Sequence, residues 1–241
     1  MRGILRIYKD PEVLALHVAD QLMELIAQSH GEKFNMAISG GSTPNLLFST
    51  LAKKYADSVL WEKTHFWWVD ERMVPARDPE SNFGTAQKLL FSLIEIPEDN
   101  IHIIHGEENP QQESENYARQ IQEELPVNEG WPLFDLILLG MGEDGHTASI
   151  FPDHIELMQS TQVCEVAHHP LTNQARISLT GIVLNNATRV WFLVTGAEKA
   201  GRLAEINSGS EKSSLYPASC INPVHGELSW FLDKQAARLL L

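Results

Sequence analysis

Short apolar runs alternate with amphipathic stretches along most of the chain. Leu5–Tyr8, Phe34–Ile38, His65–Val69 and Ile101–Ile104 read as strands, as do Val163–Val166, Arg176–Leu179, Val190–Thr195 and Leu228–Leu232. Phe134–Leu139 (FDLILL) is apolar at nearly every position, the pattern of a central parallel strand covered on both faces. Helical patterns fall between them. One opens at Asp10-Pro11 and runs to about Ala27, with Pro11 at the first helical position, where its missing N–H costs nothing. Others start at Pro44, run near Ser81–Leu93, Glu113–Leu125 and Glu198–Ile206, form a short helix ending before Pro152, and close the chain after Leu232.

Strands alternating with helices predict an α/β fold: a mainly parallel, Rossmann-like sheet with helices on both faces, as a single domain over residues 1–241. No repeat or linker interrupts it, and GSEKSS at 209–214 is short enough to be a loop. In such sheets ligands bind beyond the carboxyl ends of the strands. The unusual residues fall there.

Ser39-Gly40-Gly41-Ser42-Thr43-Pro44 follows a strand and opens a helix. Gly40 and Gly41 free the backbone for close approach or positive φ, with Thr43 expected as N-cap and Pro44 as the first helical residue. Backbone N–H groups and the helix dipole then converge on an anion. A P-loop is excluded, because GxxxxGK[ST] is absent.

Gly140-Met141-Gly142-Glu143-Asp144-Gly145-His146-Thr147 formally satisfies GxGxxG after a strand, and Glu165 lies where a ribose-binding acid would sit. Glu143 and Asp144 oppose a dinucleotide, since they set negative charge against a pyrophosphate, and Pro152 leaves no room for a crossover helix. What remains is a loop that carries Asp144 and His146 to the mouth of the sheet, where Asp144 can orient the imidazole for general-base work.

Asp70-Glu71-Arg72 ends the run HFWWV. Such a triplet is often a surface ion pair of little worth; at a strand end, Arg72 is instead a fixed cation for a phosphate, carboxylate or oxyanion. Asn82 reads as a cap for the next helix. Lys199, in Thr195-Gly196-Ala197-Glu198-Lys199-Ala200, stands in the first turn of a helix, where the dipole disfavours a cation unless an anion joins it. Arg176 is a weaker candidate of the same kind. His102 and His105, three apart on an expected strand, lie on opposite faces and make poor co-ligands. No metal or cofactor is implied.

Composition narrows the picture further. With 18 Lys plus Arg against 32 Asp plus Glu, the formal net charge is -14. That excess opposes nucleic-acid binding, which needs basic residues to replace condensed counterions. Two cysteines, Cys164 and Cys220, make no disulfide framework or metal motif. The N-terminal residues lack the apolar core of a signal peptide, and no stretch approaches the roughly 20 residues of a membrane helix. The expectation is a cytoplasmic protein, a monomer or small homo-oligomer, with no nucleic-acid or membrane partner.

SGGSTP at 39, WVDERMVP at 68, ESNFG at 80, LLGMGEDGHTASIFPDH at 138, RISLT at 176, VTGAEKA at 194 and SWFLDKQAARLL at 229 occur together and in order. In this the chain resembles the 6-phosphogluconolactonases, within the superfamily that also holds glucosamine-6-phosphate deaminases and ribose-5-phosphate isomerase. The resemblance implies hydrolysis of 6-phospho-D-glucono-1,5-lactone to 6-phosphogluconate, a step of the oxidative pentose phosphate pathway. It implies His146, Asp144, Arg72 and Asp70 as the catalytic set, and Gly40, Gly41, Ser42, Thr43, Lys199 and Arg176 around the phosphate. A deaminase of the superfamily would carry a tyrosine after the Asp-Glu pair and an acidic residue before the proline ending the GHxA segment. Here those positions are Arg72 and Phe151. A non-catalytic sugar-phosphate sensor would show erosion at Asp144, His146 or Arg72, and all three are present.

Overall fold

A computed structural model describes residues 2–240. Eleven strands and six α-helices follow in chain order: β1 (Ile4–Tyr8), α1 (Pro11–Gln28), β2 (Phe34–Ile38), α2 (Ser42–Tyr55), β3 (Thr64–Trp68), β4 (Asp70–Arg72), α3 (Asn82–Leu89), α4 (Pro110–Glu124), β5 (Val127–Asn128), β6 (Trp131–Pro132), β7 (Leu136–Leu139), β8 (Cys164–His168), β9 (Ala175–Leu179), α5 (Gly181–Asn186), β10 (Arg189–Val194), α6 (Ala200–Ser208) and β11 (Glu227–Asp233). Six strands form a wholly parallel sheet in the order β1-β11-β10-β7-β2-β3. Every residue of β2, β3 and β7 is buried, which requires cover on both faces. A second, antiparallel sheet joins β4, β9 and β8, and β5 pairs with β6 in a small hairpin.

The long helices form where cap and periodicity agree. Asp10 accepts from the Val13 N–H at 2.9 Å, and Leu14, Val18, Leu22 and Ile26 recur at four-residue spacing on the buried face of α1. Asn109 caps α4 through the N–H groups of Gln111 and Gln112, so that helix begins three residues earlier than its amphipathic pattern indicates.

Four expected elements differ. Ile101–Ile104 is not a strand: one bridge, Phe66 to Ile101, is all that forms, because His102 turns inward and lies flat on Trp67 with ring centroids 3.7 Å apart. No helix precedes Pro152; Ala148 has φ +53, and Thr147 and Ser149 spend their hydroxyls on Gly140 O and Asp70 instead. The segment after Asp233 is a run of turns, since bonds to the third and fourth preceding carbonyls mix and no continuous helical ladder nucleates. The pattern near Ser81–Leu93 shortens to α3 capped by Ser81, followed by a 3₁₀ turn at Phe91–Leu93. β4 and α5 are additions, too short for periodicity to mark.

The exposed edge of β3 is satisfied by a side chain. The Tyr117 hydroxyl, 2% exposed, accepts from the Trp68 N–H at 2.6 Å and donates to the Trp68 carbonyl at 3.1 Å. Beside it His65 Nδ1 faces His102 Nε2 at 3.0 Å in nearly parallel rings, and the Gln120 amide donates to His102 Nδ1. His102 therefore donates to His65. With Glu124 these form a group close enough to hold a metal, but the two nitrogens are spent on each other and Glu124 pairs with Lys33 at 3.1 Å.

Tyr117→Phe leaves both Trp68 backbone groups without their partner and is expected to cost about 1–3 kcal/mol in urea unfolding with the near-UV spectrum retained. Burial lowers the His102 pKa from the usual 6.5 to about 4, so the unfolded chain binds more protons across that window. Stability should fall as pH drops from 6.5 towards 4, and His102→Gln should flatten that slope in unfolding curves taken at stepped pH.

Candidate functional site

From β2 the chain moves outward to β3, whereas from β7 it moves the other way to β10 and β11. The β2–β7 boundary is thus the topological switch point, where an open α/β sheet leaves a crevice at its carboxyl edge. A cavity of about 280 Å³ occupies it, walled by the loops after β2, β7 and β10 and by β4 and β9.

One wall is the start of α2. Gly41 has φ +117, a conformation that favours glycine, and serves as N-cap with no side chain bonding the first turn. Helical bonding starts with Asn45 N–H to Gly41 O, and Pro44 has no N–H, so the Ser42 and Thr43 amides have no partner within the helix. Thr43 is not the cap expected of it. It is inside the helix, and its Oγ1 meets Thr195 Oγ1 at 2.8 Å, tying the β2 loop to the end of β10. Gly40 is required for a different reason: a Cβ there would stand 1.8 Å from Asn82 Oδ1.

Across the cavity β4 pairs with β9 so that Arg72 lies directly opposite Arg176. Like charges facing each other on one sheet surface repel. Burial, opposed by Asp70 and reinforced by Arg72, lowers the Arg176 pKa. The Nε atoms of both arginines are buried without a partner. Arg72 is fixed from behind by a bond to the Glu80 carbonyl, and Arg176 stands over the Phe151 ring at 5.6 Å. A pair of cations held this way is prepared for an anion.

Between these walls is His146. Its Nδ1 is 2.6 Å from Asp144 Oδ1, which also accepts the His146 backbone N–H at 3.0 Å. The carboxylate fixes the Nδ1–H tautomer and leaves Nε2 with the free lone pair. Burial raises the Asp144 pKa, but the bonds and charge of His146 outweigh it and hold the group below the ordinary carboxylate range. Phe151 backs the imidazole at 4.7 Å, so one buried ring touches both His146 and Arg176. Gly142 makes room: a Cβ there would be 2.2 Å from His146 Nδ1.

Of the ten residues expected to form the site, all but Asp144 line this one cavity; Asp144 stands behind His146. Asp70, 5% exposed, accepts from Ser149 Oγ at 2.6 Å. Lys199 is half-buried in a 3₁₀ turn at Ala197–Lys199, one step before α6, and its ammonium has no partner among the described residues. Glu71 is not part of a surface ion pair. It is 1% exposed and accepts from the N–H groups of Arg72 at 2.7 Å, Asn82 at 2.9 Å and Phe83 at 2.8 Å, and from Ser81 Oγ at 3.1 Å. Asn82, read as a cap, also lines the cavity and donates to the Asp70 carbonyl at 2.8 Å. Ser149 and Phe151 complete the site, and spacing alone gave no signal for either.

Residues 9–230 match the protein family described as glucosamine-6-phosphate isomerases/6-phosphogluconolactonase. The chain is 44% identical over 229 residues to a 6-phosphogluconolactonase of Haemophilus influenzae, covering 94% of this chain and 97% of that protein. It is 46% identical over 207 residues to a 6-phosphogluconolactonase of Aggregatibacter actinomycetemcomitans, covering 86% and 87%. The solved 6-phosphogluconolactonase of Trypanosoma brucei superposes with a TM-score of 0.89 at 28% identity, over all of this chain and 99% of that one. A family match over residues 9–230, with relatives 44% and 46% identical over most of the chain, places this chain in the glucosamine-6-phosphate isomerase/6-phosphogluconolactonase family.

Proposed function

We propose that the chain hydrolyses 6-phospho-D-glucono-1,5-lactone to 6-phosphogluconate by general-base attack of water. The observation that carries this reading is His146 with Nδ1 anchored on Asp144 at 2.6 Å, in a cavity that also holds paired arginines and a free helix start. Nε2 takes a proton from a water attacking C1, and the imidazolium so formed is stabilised by Asp144 and returns a proton to the ring oxygen as the C–O bond breaks. General-base help of this kind is worth about 10²–10⁴-fold.

The phosphate is assigned to the Ser42 and Thr43 amides at the start of α2 and to Lys199, which lines the same cavity and whose ammonium has no partner among the described residues. Arg176, expected with the phosphate, is reassigned to the carbonyl end beside Arg72, because its guanidinium rests on the same Phe151 ring that backs His146. The two arginines then meet the tetrahedral oxyanion and the new carboxylate, a contribution of about 10²–10³-fold for one good donor. Asp70 balances part of their charge and, through Ser149, fixes the turn before Phe151. No covalent nucleophile is needed for an ester already labile in water, and the chain has no GxSxG turn.

The deaminase reading is disfavoured by two side chains. Arg72 stands where a tyrosine would be, and the acidic position is taken by Phe151, 1% exposed between His146 and Arg176. Burying a carboxylate there would remove the ring both groups rest on.

Turnover of freshly made lactone, followed faster than its spontaneous hydrolysis, should be high, with no ammonia released from glucosamine 6-phosphate. His146→Ala should lower kcat by about 10²–10⁴-fold while 6-phosphogluconate still binds; wild-type turnover would refute the base assignment. Lys199→Ala should instead weaken binding of phosphorylated lactone and spare an unphosphorylated one, and equal weakening of both would contradict its role.

A further inference from the structure

The turn that carries Asp144 and His146 has no regular secondary structure, and Gly145 within it has φ +90. It is closed by its own bonds, Gly142 N–H to the His146 carbonyl at 2.9 Å and Gly145 N–H to the Gly142 carbonyl at 3.1 Å, and contacts from outside add to them. Arg202 Nε donates to the Glu143 carbonyl at 3.1 Å, the residue immediately before Asp144. The Arg202 guanidinium lies over the Tyr216 ring at 4.1 Å. That same tyrosine packs against the turn: a Cβ on Gly145 would meet Tyr216 Cβ at 2.8 Å, and Ala218 N–H donates to the Gly145 carbonyl at 3.0 Å. Glu205 joins the two, accepting from Arg202 Nη1 and from the Tyr216 hydroxyl through one oxygen, with Lys212 on the other at 3.4 Å. Neither Arg202 nor Tyr216 lines the cavity.

We infer that Arg202 and Tyr216, held by Glu205, are positioning residues that set the Asp144–His146 pair from behind, an inference that rests on the hydrolytic reading above. The guanidinium is suited to this because three of its features are used at once. Nε reaches the carbonyl of 143, Nη1 meets a carboxylate, and the flat face stacks on an aromatic ring. Lysine, a single ammonium without a planar fork, cannot make all three contacts at once. Placement adds a second consequence. Lys199, in the 3₁₀ turn that leads into α6, is three residues before Arg202 in the first turn of that helix, so the entry to α6 presents a cation to the phosphate end and grips the turn that bears the base. An anion that draws on Lys199 is thereby registered against His146.

The test is kinetic. Arg202→Ala should lower kcat by about ten- to a hundredfold, the scale of small misplacements of a catalytic group, with KM changed less than about threefold on that scale and the thermal unfolding midpoint close to wild type. Arg202→Lys should fail to restore kcat, and Tyr216→Phe, which keeps the ring but loses the bond to Glu205, should fall between. The decisive experiment is the double variant. If Arg202 works through His146, adding Arg202→Ala to His146→Ala produces no further loss, because the group being positioned is gone. Additive losses, or full rescue by lysine, would overturn the inference. His146→Ala with wild-type turnover would refute the base assignment instead, and an inactive His146→Ala beside a fully active Arg202→Ala would refute the positioning role alone.

Discussion

The site depends first on one buried carboxylate. Glu71 gathers three backbone N–H groups and a hydroxyl, from Arg72 on its own strand and from Ser81, Asn82 and Phe83 at the start of α3. Burial raises its pKa, and the backbone donors pull the other way. A carboxylate at a helix start also meets the favourable end of the dipole. This joint places β4 and α3 at fixed distance. Arg72 is then aimed across the cavity, and Asn82 is pressed against Gly40, so the α2 loop takes its position from the same contact. A carboxylate whose triplet reads in the sequence as a surface ion pair is a structural bolt between β4 and α3.

Charge is distributed with similar economy. A chain of net charge -14 must keep an anionic substrate from seeing most of its acids. Asp144 is placed behind His146 rather than in the cavity, so it acts on the imidazole and is shielded from the substrate by it. Asp70 does line the cavity, but two guanidinium groups stand beside it, and the wall remains net positive. Lys199 and the start of α2 face the cavity from a second direction, with Glu198 beside Lys199 offsetting part of that charge. Net charge describes the envelope, and the crevice has a potential of its own.

Much of this was legible in the sequence because parallel α/β folds put unusual residues at strand ends, where motifs such as SGGSTP and GEDGH stand out against apolar runs. The mainly parallel sheet and the expectation of Arg72, His146 and Lys199 at its carboxyl edge followed from that regularity. Where periodicity was broken by a side chain, the reading failed. His102 turned onto Trp67 and ended a strand after one bridge; Ala148 took a left-handed conformation and removed a helix. Thr43 was expected as a cap from its residue type, yet Gly41 starts the helix because its positive φ delivers the bare amides. The antiparallel β4–β9 pairing, which sets Arg176 opposite Arg72, joins residues a hundred positions apart and has no local signature.

That pairing also explains why the cations come as a pair. A single arginine at a strand end can swing on its flexible stem and be neutralised by any nearby acid. Two on directly opposite residues of an antiparallel ladder start from neighbouring points on one sheet face, so their repulsion is reduced only as far as the side chains can turn away from each other. Phe151 prevents Arg176 from relaxing in one direction, and the Glu80 carbonyl restrains Arg72 in the other. On the proposed hydrolytic reading, an oxyanion forming between them would relieve repulsion that a neutral carbonyl leaves in place. Such an interaction would strengthen as negative charge develops, which is the condition for lowering a barrier rather than merely tightening binding.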